Sequence, residues 1–509
     1  MQREASLNLV RSRKGPWDLA VIGGGATGVG IALDAAARGY ATCLFEQADF
    51  GKGTSSRSTK LIHGGVRYLQ QGNFALVTEA LHERGLLRKN APHLVTDLPF
   101  IVPNYALWEA PFYGIGLHIY DLLAGKHGFE KALRSRHLSK AEVLAHIPTL
   151  ETEGLRGGTL YYDGQFDDAR LLMDLAHAAV AKGAALVNYA QVAGLLRDAG
   201  GRVCGVAFRD GETGATHEVA ARCVINAAGP FVDAIRAMDD PAAERIIAPS
   251  QGVHIVLDRT FLPGDAAIMI PRTPDRRVLF AIPWHGHTLV GTTDTAVERP
   301  ALEPVAREEE IAFLLETAGR YLHRRPGRGD ILSVFAGIRP LVKSGGREGG
   351  TAGLSRDHHL EIAASGLVTI TGGKWTTYRR MAQDTVSAAA AHAGLEARAC
   401  VTESLAIGNG APAAELEALI AGEPGLGEAL HPALAVCGAQ VVWAVRHEMA
   451  RTLEDVLSRR TRALLLDARA AVAMAPAAGA LMARELGRDA AWVEREVVEF
   501  ALLAHNYMA

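Results

Sequence analysis

The amino-acid sequence predicts an α/β protein in which an antiparallel sheet interrupts a parallel one and a helical region follows. Apolar segments run into glycine-rich turns at 23–28, 229 and 372–373, as buried parallel strands do. Between the last two turns, residues 251–295 alternate short strand patterns with turns, which is typical of antiparallel sheet. After about residue 400 the composition shifts to alanine, leucine, arginine and glutamate, which favours helices.

Length and composition describe an ordinary globular chain with one unusual feature. The 509 residues suffice for roughly three domain-sized units. The apolar content of 49% and the charged content of 21% exclude a disordered chain. The net charge of −3 gives no overall basic field, so no nucleic-acid partner is predicted. The unusual feature is the 54 glycines, about 11% of the chain against a typical share of about 7%. They indicate tight turns and close backbone approaches.

Cysteine usage and the lack of a long apolar stretch bear on the compartment. Five cysteines lie far apart without any C-x-x-C, which fits a reducing compartment and predicts neither a disulfide scaffold nor a metal site. The apolar stretch 470–483 is shorter than the ~20 residues of a membrane-spanning helix. We therefore expect a soluble protein, attached at most to a membrane surface. Residues 1–16 are predicted to form a frayed tail.

The first motif is a glycine-rich turn within residues 18–46, which predict one β-α-β unit. The pattern Gly23-x-Gly25-x-x-Gly28 follows the first strand and opens the helix, and Glu46 ends the second strand. This is the full context of a dinucleotide-binding turn. The glycines would let the backbone and the helix N-terminus approach a pyrophosphate, and Glu46 would accept hydrogen bonds from a ribose.

The surroundings of this turn favour a flavin over a nicotinamide cofactor. No second G-x-G-x-x-G is present, and Gly372-Gly373 precedes a late helix, where it could approach another part of the same cofactor. We therefore predict FAD without NAD(P)H. Residues 54–65 offer small hydroxyls and glycines that can wrap the cofactor. Besides the turn and Glu46, the predicted cofactor contacts are Thr54, Ser55, Ser58, Lys60, His63, Gly64, Gly65, Val192, Gly229, Gly373, Lys374 and Thr376.

Three cations have apolar or glycine neighbours, namely Arg67, Arg339 and Lys374. Because buried cations need anionic partners, they either form separate structural ion pairs or converge on an anionic substrate. Arginine is suited to bidentate contact with a phosphate or a carboxylate.

Two histidines in apolar surroundings are candidates for a catalytic base, because histidine titrates near neutral pH. His254 lies in the apolar segment 251–256, and His63 lies between apolar residues and two glycines. A lone strand histidine is more often a satisfied core residue, so the base is left unassigned.

Taken together, these motifs match the pattern of a known family. The sequence resembles the aerobic, quinone-linked, FAD-dependent glycerol-3-phosphate dehydrogenases over residues ~17–509. Nine motifs carry the resemblance, and in the motif at 372–379 the family often has leucine at the position of Trp375. The motifs are V-I-G-G-G-A-T-G-V-G (21–30), T-S-S-R-S-T-K-L-I-H-G-G-V-R-Y-L (54–69), F-D-D-A-R (166–170), N-A-A-G-P-F-V (226–232), G-V-H-I-V (252–256), I-P-W (282–284), G-T-T-D-T (291–295), G-I-R-P-L (337–341) and G-G-K-W-T-T-Y-R (372–379).

The resemblance implies a fold with three parts. These are an FAD-binding Rossmann-like domain of the glutathione-reductase or D-amino-acid-oxidase type, an antiparallel β substrate cap and an α-helical C-terminal domain. The expected boundaries are a tail at 1–16, an FAD-dependent region at 17–399 and the helical domain at 400–509. Within the middle region, FAD-binding segments are expected at about 17–90, 150–235 and 330–395, and the cap mainly at 91–149 and 240–330.

The resemblance also implies a reaction, the oxidation of sn-glycerol 3-phosphate to dihydroxyacetone phosphate by hydride transfer to FAD. Electrons would then pass to ubiquinone or another membrane quinone. The matching substrate-end positions are Arg67, Tyr68, Arg339, Lys374 and Thr376, and those expected to act in catalysis are His254, Arg339 and His63. The alternatives are a glycerol-3-phosphate oxidase that uses O₂ and another FAD-dependent oxidase of the D-amino-acid-oxidase type.

A quinone acceptor implies a cytoplasmic enzyme bound peripherally to the inner face of the plasma membrane. A homodimer is a possible oligomeric state. Residues 446–466 resemble a basic amphipathic helix, although packing against their own domain is the simpler interpretation. Residues 111–124 are a second, apolar candidate for contact with lipid or quinone.

Overall fold

Two large sheets and a mostly helical C-terminal region make up the fold. The computed structural model describes residues 1–65, 73–125, 133–271, 273, 278–343, 358–408 and 413–509. Its helices are α1 (Arg3–Ser12), α2 (Ala26–Ala37), α3 (Phe74–Asn90), α4 (Glu109–Gly125), α5 (Lys140–His146), α6 (Asp168–Ala181), α7 (Val232–Asp239), α8 (Glu308–Gly319), α9 (Tyr378–His392), α10 (Ala413–Gly422), α11 (Gly438–His447), α12 (Ala463–Leu466), α13 (Ala468–Leu486) and α14 (Ala490–His505). Its strands are β1 (Trp17–Ile22), β2 (Thr42–Phe45), β3 (Leu61–Ile62), β4 (Val95–Asn104), β5 (Arg136–Ser139), β6 (Gly157–Phe166), β7 (Ala185–Val187), β8 (Ala190–Arg197), β9 (Val203–Asp210), β10 (Thr216–Asn226), β11 (Ile247–Asp258), β12 (Ala267–Ile270), β13 (Leu279–Trp284), β14 (His287–Gly291), β15 (Thr295–Ala296), β16 (Ile331–Val342), β17 (His358–Ile362), β18 (Val368–Gly372), β19 (Ala429–His431) and β20 (Leu434–Cys437).

The first sheet is parallel at its centre and has the strand order β17-β18-β10-β1-β2-β7. The strands β18, β10, β1, β2 and β7 pair in parallel, and the antiparallel strand β17 forms one edge. Apolar side chains of α2, α6 and α9 share a buried core with these strands. Because parallel strands place their carboxyl ends at one edge of the sheet, the turns after β1, β10 and β18 meet there. The predicted fold class is confirmed.

The second sheet is largely antiparallel and has the order β15-β11-β14-β13-β12-β4-β6-β3. It also takes in β16, which pairs with β11 from Ile247 to Leu257. The sequence boundaries placed β6 and β16 with the FAD-binding segments, whereas both strands belong to this cap sheet. Their continuous pairing with β4 and β11 explains the difference, because a strand joins the sheet that satisfies its backbone groups.

The N-terminal residues form a helix, so the predicted tail over residues 1–16 is wrong. Leu7 and Val10 on one face of α1 are buried in the core beside the first sheet. On the same helix the guanidinium of Arg3 is almost fully buried and pairs with Asp210 at 2.5 Å. The i, i+3 spacing of Leu7 and Val10 was the signal for an amphipathic helix.

The C-terminal region is helical as predicted, with one hairpin formed by β19 and β20. Residues 455–460 form a π-helical turn, and Arg459 and Arg460 within it are buried. Both guanidinium groups donate to Asp49, in the loop after β2. Within residues 446–466, Arg459 and Arg460 therefore serve an internal contact between domains, and Arg462 pairs with Asp167 at 3.0 Å. No described helix is both long and apolar enough to cross a membrane.

Asp49 is expected to hold the C-terminal region to the domain built on the first sheet. It accepts hydrogen bonds from Arg459 Nε at 2.6 Å and from Arg460 Nη1 and Nη2 at 2.6 and 2.8 Å. Burial raises the pKa of Asp49, but the pairing with Arg460 and Arg459 outweighs it and lowers the pKa to about 2. An unfolded aspartate has a pKa near ~3.9, so this stabilisation is complete above that pH and is lost as the pH falls toward 2.

We expect Asp49→Asn to destabilise the protein by about 3 kcal/mol at neutral pH, because two buried guanidinium groups lose their shared anion. The loss is near the lower end for such pairs, since Arg459 also contacts Asp455 at 2.7 Å. Thermal unfolding followed by circular dichroism measures it. The matched control is Glu423→Gln, which removes an exposed pair with Arg484 and should cost ~0–1 kcal/mol. Equal melting temperatures for the two variants would contradict the assignment.

Candidate active site

Three connected cavities lie where the two sheets meet. The nucleotide cavity, of about 280 Å³, lies at the carboxyl edge of the first sheet and is lined by the turn after β1 and by residues 227–231 and 370–375. The central cavity, of about 220 Å³, lies between that edge and β11 and β16. The apolar cavity, of about 470 Å³, runs from there between the cap sheet and α4.

The glycines of the first turn bring backbone close to backbone in the nucleotide cavity. Gly23 has φ +111°, and a Cβ there would lie 2.6 Å from the carbonyl oxygen of Ala227. A Cβ on Gly28 would collide with the carbonyl oxygen of Gly23. The turn thus admits no side chains at these two positions, which leaves the N-terminus of α2 open to a ligand.

The polar groups around this turn fit the two ends of an adenine dinucleotide. Gly25 is the N-cap of α2 and carries no side chain, so the positive end of the helix faces the cavity. The first helical N–H, that of Ala26, donates to Ser55 Oγ at 2.9 Å. Glu46 accepts hydrogen bonds from the backbone N–H of Gly24 at 2.6 Å and of Ala48 at 2.9 Å. Burial raises the pKa of Glu46, and these two N–H groups partly counter that effect. A pyrophosphate fits the helix end, and a ribose fits the carboxylate.

The nucleotide and central cavities share a wall, so one long ligand can occupy both. The shared residues are Thr54, Pro340, Gly372, Gly373, Lys374 and Trp375. A dinucleotide with its nucleotide end at α2 would therefore extend its other end into the central cavity. The residues present fit FAD.

Most of the predicted cofactor contacts line one of these cavities. Gly23, Gly25, Glu46, Thr54, Ser55, Val192, Gly229, Gly373 and Lys374 line the nucleotide cavity. Ser58, His63, Lys374 and Thr376 line the central cavity, and His63 and Gly65 line the apolar cavity.

Three of the predicted contacts lie behind the cavity walls. Gly28 packs on Gly23, and Gly64 donates its N–H to Tyr120 Oη at 2.8 Å. Lys60 is fully buried, and its Nζ lies 2.8 Å from both carboxylate oxygens of Asp168. The ammonium group of Lys60 is thus engaged by an internal ion pair. Arg67 and Tyr68 lie outside the described residues.

The structure brings Arg339, Lys374 and Thr376 together at the central cavity. Arg339 is half-buried on β16, donates to Thr292 Oγ1 at 2.9 Å and lies 3.6 Å from Asp294. A Cβ on Gly252 would lie 2.7 Å from the Cζ of Arg339, so the neighbouring strand makes room for the guanidinium. The buried Thr376 directs its Oγ1 to the carbonyl oxygen of His63 at 3.5 Å.

The two candidate histidines differ in environment. His63 is half-buried and lines both the central and the apolar cavity. His254 is buried, stacks on Phe335 with ring centroids 5.0 Å apart, and contacts Thr59 Oγ1 through Nε2 at 2.9 Å. Burial, together with Lys60 and Arg339, holds the pKa of His254 well below its usual range. His254 is therefore neutral at physiological pH.

Sequence reasoning missed a buried relay that reaches the central cavity from the C-terminal region. Arg57 lines the cavity and donates to Glu303 Oε2 at 2.7 Å. The hydroxyl of Tyr507 donates to the other oxygen of Glu303 at 2.6 Å. Arg57 lies within the motif at 54–69, but no local sequence pattern indicates its partners on distant segments.

Two family models match this chain. Residues 18–379 match the family described as FAD dependent oxidoreductase, and residues 365–493 match the C-terminal domain of alpha-glycerophosphate oxidase. Fold and site together define an FAD-dependent oxidoreductase.

Individual proteins narrow the family. The chain is 41% identical to the mitochondrial glycerol-3-phosphate dehydrogenase of Homo sapiens, over 96% of this chain and 73% of that protein. It is 41% identical to the mitochondrial glycerol-3-phosphate dehydrogenase of Arabidopsis thaliana, over 90% of this chain and 81% of that one. The glycerol-3-phosphate dehydrogenase of Bacillus halodurans, solved with FAD, superposes with a TM-score of 0.79 at 29% identity, covering 100% and 98% of the two chains. The chain belongs to the FAD-dependent glycerol-3-phosphate dehydrogenase family.

Proposed function

We propose that this enzyme oxidises sn-glycerol 3-phosphate to dihydroxyacetone phosphate and passes the electrons to a membrane quinone. The observation that carries the first part is the central cavity, where Arg339 and Lys374 meet next to the FAD site. Two cations in a small cavity suit a phosphate ester of three carbons. The guanidinium of arginine can bind two phosphate oxygens at once, and the ammonium of lysine binds phosphate as a point charge. The relatives' names point to the same substrate.

The residues of the central cavity have distinct tasks in this reaction. Arg339 and Lys374 bind the phosphate, and Arg339 is oriented for this by Thr292. FAD, when bound in the adjoining cavity, would supply the acceptor for the hydride that leaves C2. The proton of the C2 hydroxyl needs an acceptor at the same place, and His63 lines the cavity there.

Anaerobic bleaching of the flavin tests the substrate. Adding sn-glycerol 3-phosphate to the FAD-loaded enzyme should abolish the visible flavin absorbance, whereas glycerol and D-amino acids at the same concentration should act far more slowly. Bleaching by an amino acid and not by the phosphate ester would overturn the proposal.

The apolar cavity supports the quinone part of the proposal. It is lined by apolar side chains of the cap sheet and of α4, and it shares Thr59, His63 and Arg339 with the central cavity. Hydrophobic residues of and beside α4 remain exposed, among them Leu107 at 77%, Ile115 at 66% and Leu122 at 71%. We infer that α4, which covers the predicted segment 111–124, rests in the lipid interface and that the apolar cavity admits a quinone ring.

We expect the double variant Ile115→Gln, Leu122→Gln to lose most of its binding to anionic lipid vesicles, because it removes apolar surface from the exposed face of α4. Vesicle flotation measures the bound fraction. The matched control is Val498→Gln, Leu502→Gln, which changes equally exposed residues of α14. Flavin reduction by sn-glycerol 3-phosphate should be unchanged in both variants. Binding of the α4 variant at the wild-type level would remove α4 from the interface.

The nature of the acceptor is tested separately from membrane binding. With FAD reduced by substrate, reoxidation by a soluble ubiquinone analogue should be fast, and oxygen alone should yield little hydrogen peroxide. Stoichiometric peroxide without quinone would identify an oxidase instead.

A further inference from the structure

The hydrogen bond between Thr59 and His254 lies where the central and apolar cavities join. Thr59 lines both cavities, and His254, on β11, lines the central cavity beside it. Their contact, 2.9 Å between Oγ1 and Nε2, is the only one that the hydroxyl of Thr59 makes within the described residues. The ring is fixed from other sides, because it stacks on Phe335 and packs tightly against Gly291.

The environment of the other ring nitrogen of His254, Nδ1, indicates whether Nε2 or the hydroxyl of Thr59 is the donor in this hydrogen bond. Nδ1 is buried and has no hydrogen-bond partner in the described part of the chain. A neutral imidazole carries its hydrogen on one nitrogen and a lone pair on the other. Buried N–H groups without a partner are rarer than buried acceptors without one. The hydrogen therefore belongs on Nε2, which donates it to Thr59.

The charges around the ring keep it neutral. The positive charges of Lys60 and Arg339 both disfavour protonation of His254. The carboxylate of Asp168 forms an ion pair with Lys60. Asp294 lies 3.6 Å from Arg339. A protonated His254 would be a buried cation beside the buried Lys60 and the half-buried Arg339, which is costly without an anion of its own.

We infer that Thr59 is a substrate-contacting hydroxyl donor and that His254 is a positioning residue that holds it, not the base of the reaction. With Nε2–H donated to Thr59 Oγ1, the hydroxyl hydrogen of Thr59 is free to point into the cavity junction. There it donates to an oxygen on the carbon chain of the substrate, while Arg339 and Lys374 hold the phosphate. This assignment rests on the proposed function.

Variants at Thr59 test the contact with the substrate. Thr59→Val keeps the shape but removes the hydroxyl, and it should lower kcat/KM for sn-glycerol 3-phosphate about 10- to 100-fold. Thr59→Ser should restore activity to within a few-fold of wild type. Wild-type kinetics in Thr59→Val, or no rescue by serine, would overturn the inference.

Variants at His254 separate positioning from proton transfer. His254→Gln can still donate an N–H to Thr59, so it should keep the shape of the pH profile of kcat/KM. His254→Phe cannot donate and should resemble Thr59→Val. If His254 were the base, both variants would lose the acid limb of that profile, and glutamine would rescue nothing.

The tautomer can be measured without any turnover. In protein labelled with ¹⁵N-histidine, the His254 signals, identified by their loss in His254→Gln, should show a protonated Nε2 and an unprotonated Nδ1. A protonated Nδ1 would overturn the inference. Because this measurement needs no substrate, it distinguishes failure of the inference from failure of the proposed function, which wild-type flavin bleaching decides.

Discussion

Replacing Gly28 with alanine should yield a folded protein that retains little FAD. Gly28 lies inside α2, where alanine normally favours a helix by about 1 kcal/mol, so local propensity predicts stabilisation. The added methyl group instead collides with the carbonyl oxygen of Gly23, and backbone cannot rotate away as a side chain can. The turn must open, and the N-terminus of α2, which would hold the pyrophosphate, moves with it.

The expected loss is a ten- to hundredfold weaker FAD affinity, since overpacking costs about 1–3 kcal/mol. Flavin-to-protein absorbance after purification and fluorescence titration of the apoprotein measure it. Gly15→Ala is the matched control, because nothing lies within 4 Å of a Cβ at that position. Wild-type FAD affinity in Gly28→Ala, with an unchanged melting temperature, would show that the turn is not the cofactor cradle.

Arg339→Ala is expected to reduce kcat/KM for sn-glycerol 3-phosphate by roughly 30-fold to several thousandfold. Truncating one partner of a desolvated charge pair costs about 2–5 kcal/mol, much of it from leaving the other charge unpaired. Arg339→Lys keeps the charge but loses the fork of donors, so it should recover only part of the activity.

Comparison of two substrates isolates the role of this guanidinium. Glycerol has the same carbon chain without the phosphate, so its slow oxidation should hardly change in Arg339→Ala. The variant should thus lose the preference for the phosphate ester that wild type shows. Equal losses with both substrates would mean that Arg339 acts on the fold or on FAD rather than on the phosphate. Flavin absorbance and melting temperature report those two effects directly.

Features carried by local sequence were predictable. The turn at Gly23, Gly25 and Gly28 follows from a strand, a glycine pattern and a helix that are adjacent in the chain. Glu46 follows from its position at the end of the next strand. In both cases a few neighbouring residues determine the backbone path, and the parallel sheet then places the ends of its strands together.

Features that depend on partners far apart in the chain could not be predicted. Nothing near Lys60 announces that Asp168, 108 residues later, pairs with its ammonium group. Arg459 and Arg460 look like part of a basic surface until Asp49, on another domain, is found between them. The sequence shows that a residue is charged but not which distant residue pairs with it. Its burial and its ion pairs are therefore known only from the three-dimensional structure.

The long sequence separation of these pairs has a consequence for synthesis on the ribosome. Asp49 and Arg460 are 411 residues apart in the sequence, and Glu303 and Tyr507 are 204 residues apart. At about 5–20 residues per second, Asp49 stays without its arginines for about 20–80 s after it is made. During that interval Asp49 lacks its cations, and the apolar face of the cap sheet, once made, stays uncovered until the C-terminal helices pack on it. The nascent chain is therefore most vulnerable to aggregation before its last hundred residues emerge, and FAD supplied early would bind a domain whose site is still incomplete.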